Sequence, residues 1–412
     1  MDVVYERCCG LDIHKKTVVA CRIVPGPAGK PTKEIRTFGT MTEDLLALSD
    51  WLASEGVTHA AMESTGVYWK PIYNVPEGSF ELLLANARRI EAVPGRKTDV
   101  RDREWIADLL RHGLLKPSFV PDRRERELRE LTRYRSSLVR ERTAEVNRLQ
   151  KTLEGANLKL AAVASDLMGA SGREMLAALA GGSTDATALA QLARGKLRQK
   201  LPDLGRALAG RCGAHQRFLL ARQLAHIDFL DEAIEQVSAE VRERVRPFEA
   251  VVQRLDTIPG VGRWTAEVIL AEIGTDMGRF PGAGHLASWA GMCPGNNESA
   301  GKRKSSKTRR GSPWLRVALT EAAQAAGRTK GTYLAAQYHR LLARRGKKKA
   351  TVAVGHTILV IACHLLTGET GYRALGGHYF DERDRGLPER RRVRRPEGLG
   401  YKVTLARVDP AA

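Results

Sequence analysis

The stretch from residue 123 to 155, RRERELRELTRYRSSLVRERTAEVNRLQKTLEG, sets the architecture of the whole chain. Val139, Val146 and Leu153 recur every seven residues, and Leu131, Leu138 and Leu149 fill the positions between. That spacing lays one apolar seam along a helix of many turns, and such a seam needs a partner helix to cover it. A second long helical pattern, HQRFLLARQLAHIDFLDEAIEQVSAEV, runs from residue 215 towards Pro247. The two predict an antiparallel coiled-coil arm over 122–250, with short helices in the Ala/Gly-rich stretch 166–210 at its far end. The segments on either side of the arm must then build cores of their own. A length of 412 residues with 43% hydrophobic content allows that, at about 100–200 residues per domain.

Residues 1–121 read as an α/β domain. CCGLDIHKKTVVACRIV predicts two strands around a polar turn, and KEIRTFGTM a third. TEDLLALSDWLASEG has a Thr cap, helical apolar spacing and a terminal Gly. THAAMEST is a buried strand ending in Glu63, VYWKPIYN a helix with Pro71 early in it or at a kink, and ELLLANA a further strand. Strands followed by alternating helix and strand predict a sheet covered by helices. Residues 251–368 read as a mainly helical domain, and 369–412, with ERRRVRR and few core residues, as a loosely ordered basic tail.

Charge limits the partners. There are 67 basic and 47 acidic residues, a net charge of +20, so a polyanion is expected, nucleic acid before an anionic membrane. We read no long apolar anchor and no signal peptide, which predicts a cytoplasmic chain. The cysteines (Cys8, Cys9, Cys21, Cys212, Cys293 and Cys363) include no C-x-x-C pair and read as buried, reduced thiols.

Four acids occupy telling places. Asp12 ends the first strand, Glu63 ends a later one, and Asp99 and Asp102 lie three apart at the mouth of a helix, in PGRKTDVRDREWIADLL. Taken alone, Asp-x-x-Asp is more often an N-cap with its N3 partner than a metal site. Neighbouring strands carrying Asp12 and Glu63 could gather all four acids, and such a cluster calls for a hard cation, Mg²⁺. Arg96, Lys97, Arg101 and Arg103 around the pair then read as phosphate contacts.

Two elements of the C-terminal domain point to nucleic acid. IPGVGRWTA, residues 258–266, has the form of a helix-hairpin-helix: Gly260 and Gly262 permit close backbone approach, and Arg263 opens a helix whose N–H groups can hold a phosphate. NNESAGKRKSSKTRRG, residues 296–311, places Ser299, Ser305 and Ser306 among Lys302, Arg303, Lys304, Lys307, Arg309 and Arg310, with Ser312 just beyond. The commoner meaning of such a run is a solvated basic loop. Its functional meaning is a serine that attacks a phosphodiester among charge-stabilising cations.

These segments, in this order over roughly residues 5–365, resemble the DEDD transposases of bacterial insertion sequences, the IS one-ten family. The resemblance implies a ribonuclease-H-like first domain similar to Holliday-junction resolvases, with Asp12, Glu63, Asp99 and Asp102 as Mg²⁺ ligands. It implies a nucleophilic serine, matched here by Ser299, five residues after Pro294, and a covalent phosphoserine link to DNA. It further implies guidance by a structured bridge RNA, and dimers that pair into tetramers with a site composed from both domains. Two positions depart from the family pattern. Ala300 separates Ser299 from Gly301, and Pro76 falls where the helix after Glu63 would run on. The rivals are a junction-resolving nuclease that uses only carboxylates and water, and a non-enzymatic nucleic-acid-binding protein.

Overall fold

The computed structural model describes residues 2–27, 30–64, 66–86, 90, 102–295, 297–299, 302–305, 307–383, 397 and 400–402, with backbone alone at 102, 297–299 and 303. The chain forms two compact units, Met1–Pro121 and Asp122–Ala412.

In the first unit, β1 (Cys8–Ile13), β2 (Thr17–Pro25), β3 (Pro31–Gly39), β4 (His59–Glu63) and β5 (Glu81–Ala85) form one sheet in the order β3-β2-β1-β4-β5. β1, β2 and β3 pair antiparallel, whereas β4 runs parallel to β1 and β5 parallel to β4. Alternation along β1 sends Cys9, Leu11 and Ile13 to one face and Cys8 to the other. Helix α1 (Thr42–Ala53) covers the first face with Leu45, Leu48, Trp51 and Leu52. The expected Thr cap is not made: Met41 is the N-cap, and its N–H donates to Asp44 Oδ2 at 3.3 Å. Thr42 is already helical, so its hydroxyl comes one residue too late to cap. Helix α2 (Trp69–Asn74) holds Pro71 in its first turn, where no helical N–H is lost. It ends before Pro76, which sits in the following turn and breaks nothing. Helix α3 (Asp102–Arg111) covers the second sheet face with Ile106, Ala107, Leu109 and Leu110.

The second unit begins with α4 (Arg123–Gly155), capped by Asp122, whose carboxylate accepts from the Glu125 N–H at 2.8 Å. Short helices α5 (Leu160–Val163), α6 (Ala170–Ala180), α7 (Ala186–Gln191) and α8 (Leu201–Leu208) form a small core at its far end. Helix α9 (Ala214–Val245) returns antiparallel: Thr152 meets Gln223, Arg142 pairs with Asp231 and Arg244 with Glu127. The buried seam differs from the heptad reading. It runs Leu128, Thr132, Arg135, Leu138, Glu145, Leu149, Leu153, and Val139 and Val146 flank it.

Helices α10 (Glu249–Asp256), α11 (Arg263–Ile273), α12 (Ala283–Trp289), α13 (Pro313–Ala326), α14 (Tyr333–Arg345) and α15 (Lys347–Gly368) share one core with the first half of α4, through Leu128. By length and composition α15 could cross a membrane, contrary to the reading that no such stretch exists. Here Val354, Ile358, Leu359 and Ala362 are buried in that core, packed against α13 and α14. The start of the expected loose tail is also packed. Helix α16 (Tyr379–Arg383) stacks Phe380 on Tyr333, and the Tyr372 N–H donates to Thr257 Oγ1. All six cysteines are free, and Cys212 and Cys293 are half-buried rather than buried. Burial pushes the Cys8 thiol up to about 12 and that of Cys21 to about 11, which suits packing rather than chemistry.

Candidate functional site

Register places the first two acids. Leu11 pairs with Met62 between parallel strands, so Asp12 and Glu63 are the next residues along the same pair. They point to one sheet face, that of Cys8 and Ala61, at the C-terminal ends of neighbouring strands about 4.8 Å apart. Both are half-buried. Asp12 Oδ2 also lies 3.5 Å from His14 Nε2.

Helix α3 crosses this same face. A Cβ on Gly10 would stand 2.3 Å from the Arg103 carbonyl oxygen and 2.5 Å from the Ala107 nitrogen. Glycine is therefore required for the first turn of α3 to lie on β1. Further along, Cys8 Sγ reaches the Ala107 carbonyl and the Arg111 carbonyl accepts from Val4 and Tyr5. The helix thus runs antiparallel to β1, with its Asp102 end directed towards Asp12. Asp99 lies outside the described residues, as do Arg96, Lys97 and Arg101. Replacing Gly10 with Val is expected to lower the stability of this unit by about 1–3 kcal/mol, read as an earlier thermal transition, because two backbones would have to part.

Asp12 and Glu63 are hard oxygen donors at the ends of adjacent strands, half-buried on one sheet face, the kind of donor that Mg²⁺ takes. Among the described residues no group of three or more His, Cys, Asp or Glu gathers at one point. The fit rests on the Asp12–Glu63 pair and on the direction of α3.

The serine segment is not the expected loop. It forms a hairpin of β6 (Asn297–Ser299) and β7 (Lys302–Ser305), extended by a bridge between Pro294 and Thr308. Ser299 pairs with Lys302. Lys302, Lys304, Lys307, Arg309 and Arg310 are exposed, and Arg303 lies on β7 between the first two. Ser305 Oγ accepts from the Lys307 N–H at 3.2 Å. Ser312 serves the fold: its hydroxyl caps α13 and donates to Glu272 Oε2 at 2.9 Å. Ser306 and Ala300 lie outside the described residues.

The Gly-rich turn joins α10 to α11 as read, with its two glycines in different roles. Gly260, at φ +87°, lies against α13, where a Cβ would stand 2.4 Å from the Ala322 carbonyl oxygen. Its close approach is to the protein's own backbone. Gly262, the N-cap of α11, has open space where a Cβ would be. Arg263 is committed to Glu249 by two bonds of 2.7 and 2.8 Å and to Glu267 at 3.0 Å, which hold its pKa above the ordinary arginine value despite some desolvation.

Missed by the sequence reading is an ionic network between α4 and α11. Arg133 grips Glu272 bidentately at 2.7 and 2.9 Å, Arg135 Nη1 donates to Glu267 Oε2 at 2.8 Å, and Arg129 donates to the Ala271 and Glu272 carbonyls. The signal was present as the closely spaced arginines of α4, but their partners stand more than 130 residues away.

Comparison with known proteins defines the class. A family model for the DEDD transposase of IS110 matches residues 9–158, and one for the transposase IS116/IS110/IS902 family matches 252–339. Both the acid-bearing sheet and the helical unit with the serine hairpin thus fall within transposase families. The chain belongs to the IS110/IS116 family of transposases. Among curated relatives, the 44.8 kDa protein of insertion element IS116 from Streptomyces clavuligerus is 29% identical over 246 residues, 52% of this chain and 60% of the relative. A probable family 20 transposase of Pseudomonas aeruginosa is 26% identical over 285 residues, 68% of this chain and 75% of the relative. The transposase for insertion sequence element IS1111A of Coxiella burnetii is 32% identical over 151 residues, 35% and 40% of the two chains. The chain therefore spans 60% of the first of these relatives.

Proposed function

We propose that this protein is an insertion-sequence transposase that cuts and rejoins DNA, using Asp12, Glu63, Asp99 and Asp102 to hold Mg²⁺ and Ser299 as nucleophile. The observation that carries the reading is the pairing of Asp12 with Glu63 on the face that α3 crosses with its Asp102 end foremost. The β3-β2-β1-β4-β5 order supports a ribonuclease-H-like unit, and the α10–turn–α11 segment supports a helix-hairpin-helix. Bound Mg²⁺ would offset charge on the phosphodiester oxygens.

The rest falls to the chain itself. The exposed cations around the hairpin attract and orient the DNA backbone. As the Ser299 Oγ–P bond forms, the P–O bond to the leaving sugar breaks, and the proton lost by serine balances the one gained by that sugar oxygen. Reversal with a new sugar hydroxyl rejoins the strand and frees the serine. A structured bridge RNA as guide, and a dimer that pairs into a tetramer, complete the proposal. Family membership and the net charge support the first, and family membership alone the second.

The test is a trap. The full chain is mixed with element-end DNA, Mg²⁺ and the element's non-coding RNA, then denatured. A protein–DNA adduct is expected in wild type and in Ser305→Ala, and none in Ser299→Ala. An adduct that persists in Ser299→Ala overturns the serine assignment. Cleavage by wild type with no adduct points instead to a nuclease that uses water. Salt-sensitive binding without Mg²⁺-dependent cleavage points to a purely architectural protein.

A further inference from the structure

We infer that the cleft between α4, α11 and α13 receives one unstacked nucleobase of a nucleic-acid strand. The cleft measures about 80 Å³ and opens to solvent, so it takes only part of a base while the rest lies over the exposed Trp264; it is lined by Trp264 and Trp314 with Arg140, Thr265 and Glu321. Trp264 is 39% exposed, yet the Arg135 guanidinium lies 3.6 Å from its ring centroid. Arg135 is itself 1% exposed, does not line the cleft, and leaves Nε and Nη2 without hydrogen-bond partners. It therefore backs the indole from inside, and the ring face stands in for the missing partners. The remaining surface of Trp264 is presented to the cleft on a ring already fixed in place, so little side-chain freedom is lost when a flat ligand stacks on it. Arg140, also in the lining, lies 4.5 Å from the Trp314 centroid.

The surrounding chemistry selects the ligand. Indole and guanidinium planes are the surfaces on which splayed-out bases stack. The Glu321 carboxylate can accept from an exocyclic amino group, and Thr265 can donate to or accept from a ring edge. Gly262 stands two residues before Trp264 as the N-cap of α11, with open space where a Cβ would be and no side chain capping the first N–H groups of the helix. A nucleotide whose base enters the cleft would carry its phosphate to that helix start. A chain of charge +20 favours a phosphate-bearing occupant over a polypeptide. The inference rests on the nucleic-acid reading of the protein but not on strand cleavage.

Binding measured without Mg²⁺ separates the two. The probe is a fluorescein-labelled single-stranded oligonucleotide, as DNA and as RNA, read by anisotropy against the full chain in EDTA, with an abasic version alongside. Wild type is expected to bind the abasic strand about 5- to 160-fold more weakly, the factor for one lost stacked base. Trp264→Ala should lose the same factor on the intact strand and nothing further on the abasic one, with an unchanged salt dependence, and Trp264→Phe should keep most of the affinity. Trp314→Ala repeats the comparison without disturbing Arg135, should Trp264→Ala fail to fold. Equal affinity of the wild type for intact and abasic strands would falsify the inference. So would folded variants that bind both strands as wild type does. A shift in oligomeric state with no change in oligonucleotide affinity would assign the cleft to a second copy of the chain and likewise overturn it.

Discussion

Asp12→Asn and Glu63→Gln are each expected to slow Mg²⁺-dependent strand cleavage at least about a hundredfold, while the thermal transition of the sheet unit stays within a few degrees of wild type. A metal-centred site supplies several kcal/mol of charge stabilisation in the transition state, and each 1.36 kcal/mol is about a factor of ten. The fold should survive because both residues lie at the ends of their strands and are half-buried, so neither fills the core. The amides preserve shape and remove charge. Raising Mg²⁺ should rescue part of the loss if binding of the ion is what fails. Cleavage within twofold of wild type in both variants would remove these acids from the chemistry. The Gly10 contact makes the result specific to this face of the sheet: Gly10→Val should lose stability, whereas the two acid variants should lose only activity.

What the sequence disclosed follows from how local each determinant is. Strand alternation and seven-residue spacing are local, so the sheet, α4 and α9 were legible. The pairing of Asp12 with Glu63 was legible as order along the chain, and register then brought the two together. The seam of α4 was not, because hydrophobicity favours Val139 and Val146. The helix instead buries Arg135 and Glu145, whose partners come from α11, α9 and the neighbouring turn. The IPGVG turn signals a close backbone approach at Gly260 without saying to what, and the structure shows that it is to α13. The packing of Tyr379 and Phe380 escaped a reading dominated by the basic residues that follow them. Charge runs describe solvent-facing segments well, but they mask short aromatic anchors.

The buried ion pair of that seam leads to the largest stability effect expected in the second unit. Glu267 is 2% exposed and lies between Arg135 and Arg263. Burial pulls the Arg135 pKa down, and Glu267 opposes that shift by hydrogen bond and charge. Glu267→Ala leaves a buried guanidinium with no carboxylate, a change that costs about 3–5 kcal/mol. The urea midpoint of the helical unit should fall accordingly, with α4 loosened from α11. Removing both charges is a smaller insult, since an apolar pair of similar volume avoids the desolvation cost altogether. Arg135→Met with Glu267→Leu should therefore regain at least half of the lost stability. The recovery stops short of complete because the Met side chain no longer supplies the cation under Trp264. If the double variant is as unstable as the sum of its two single changes, the pair is not coupled and α4 is held to α11 by Arg129, Arg133 and the shared apolar core.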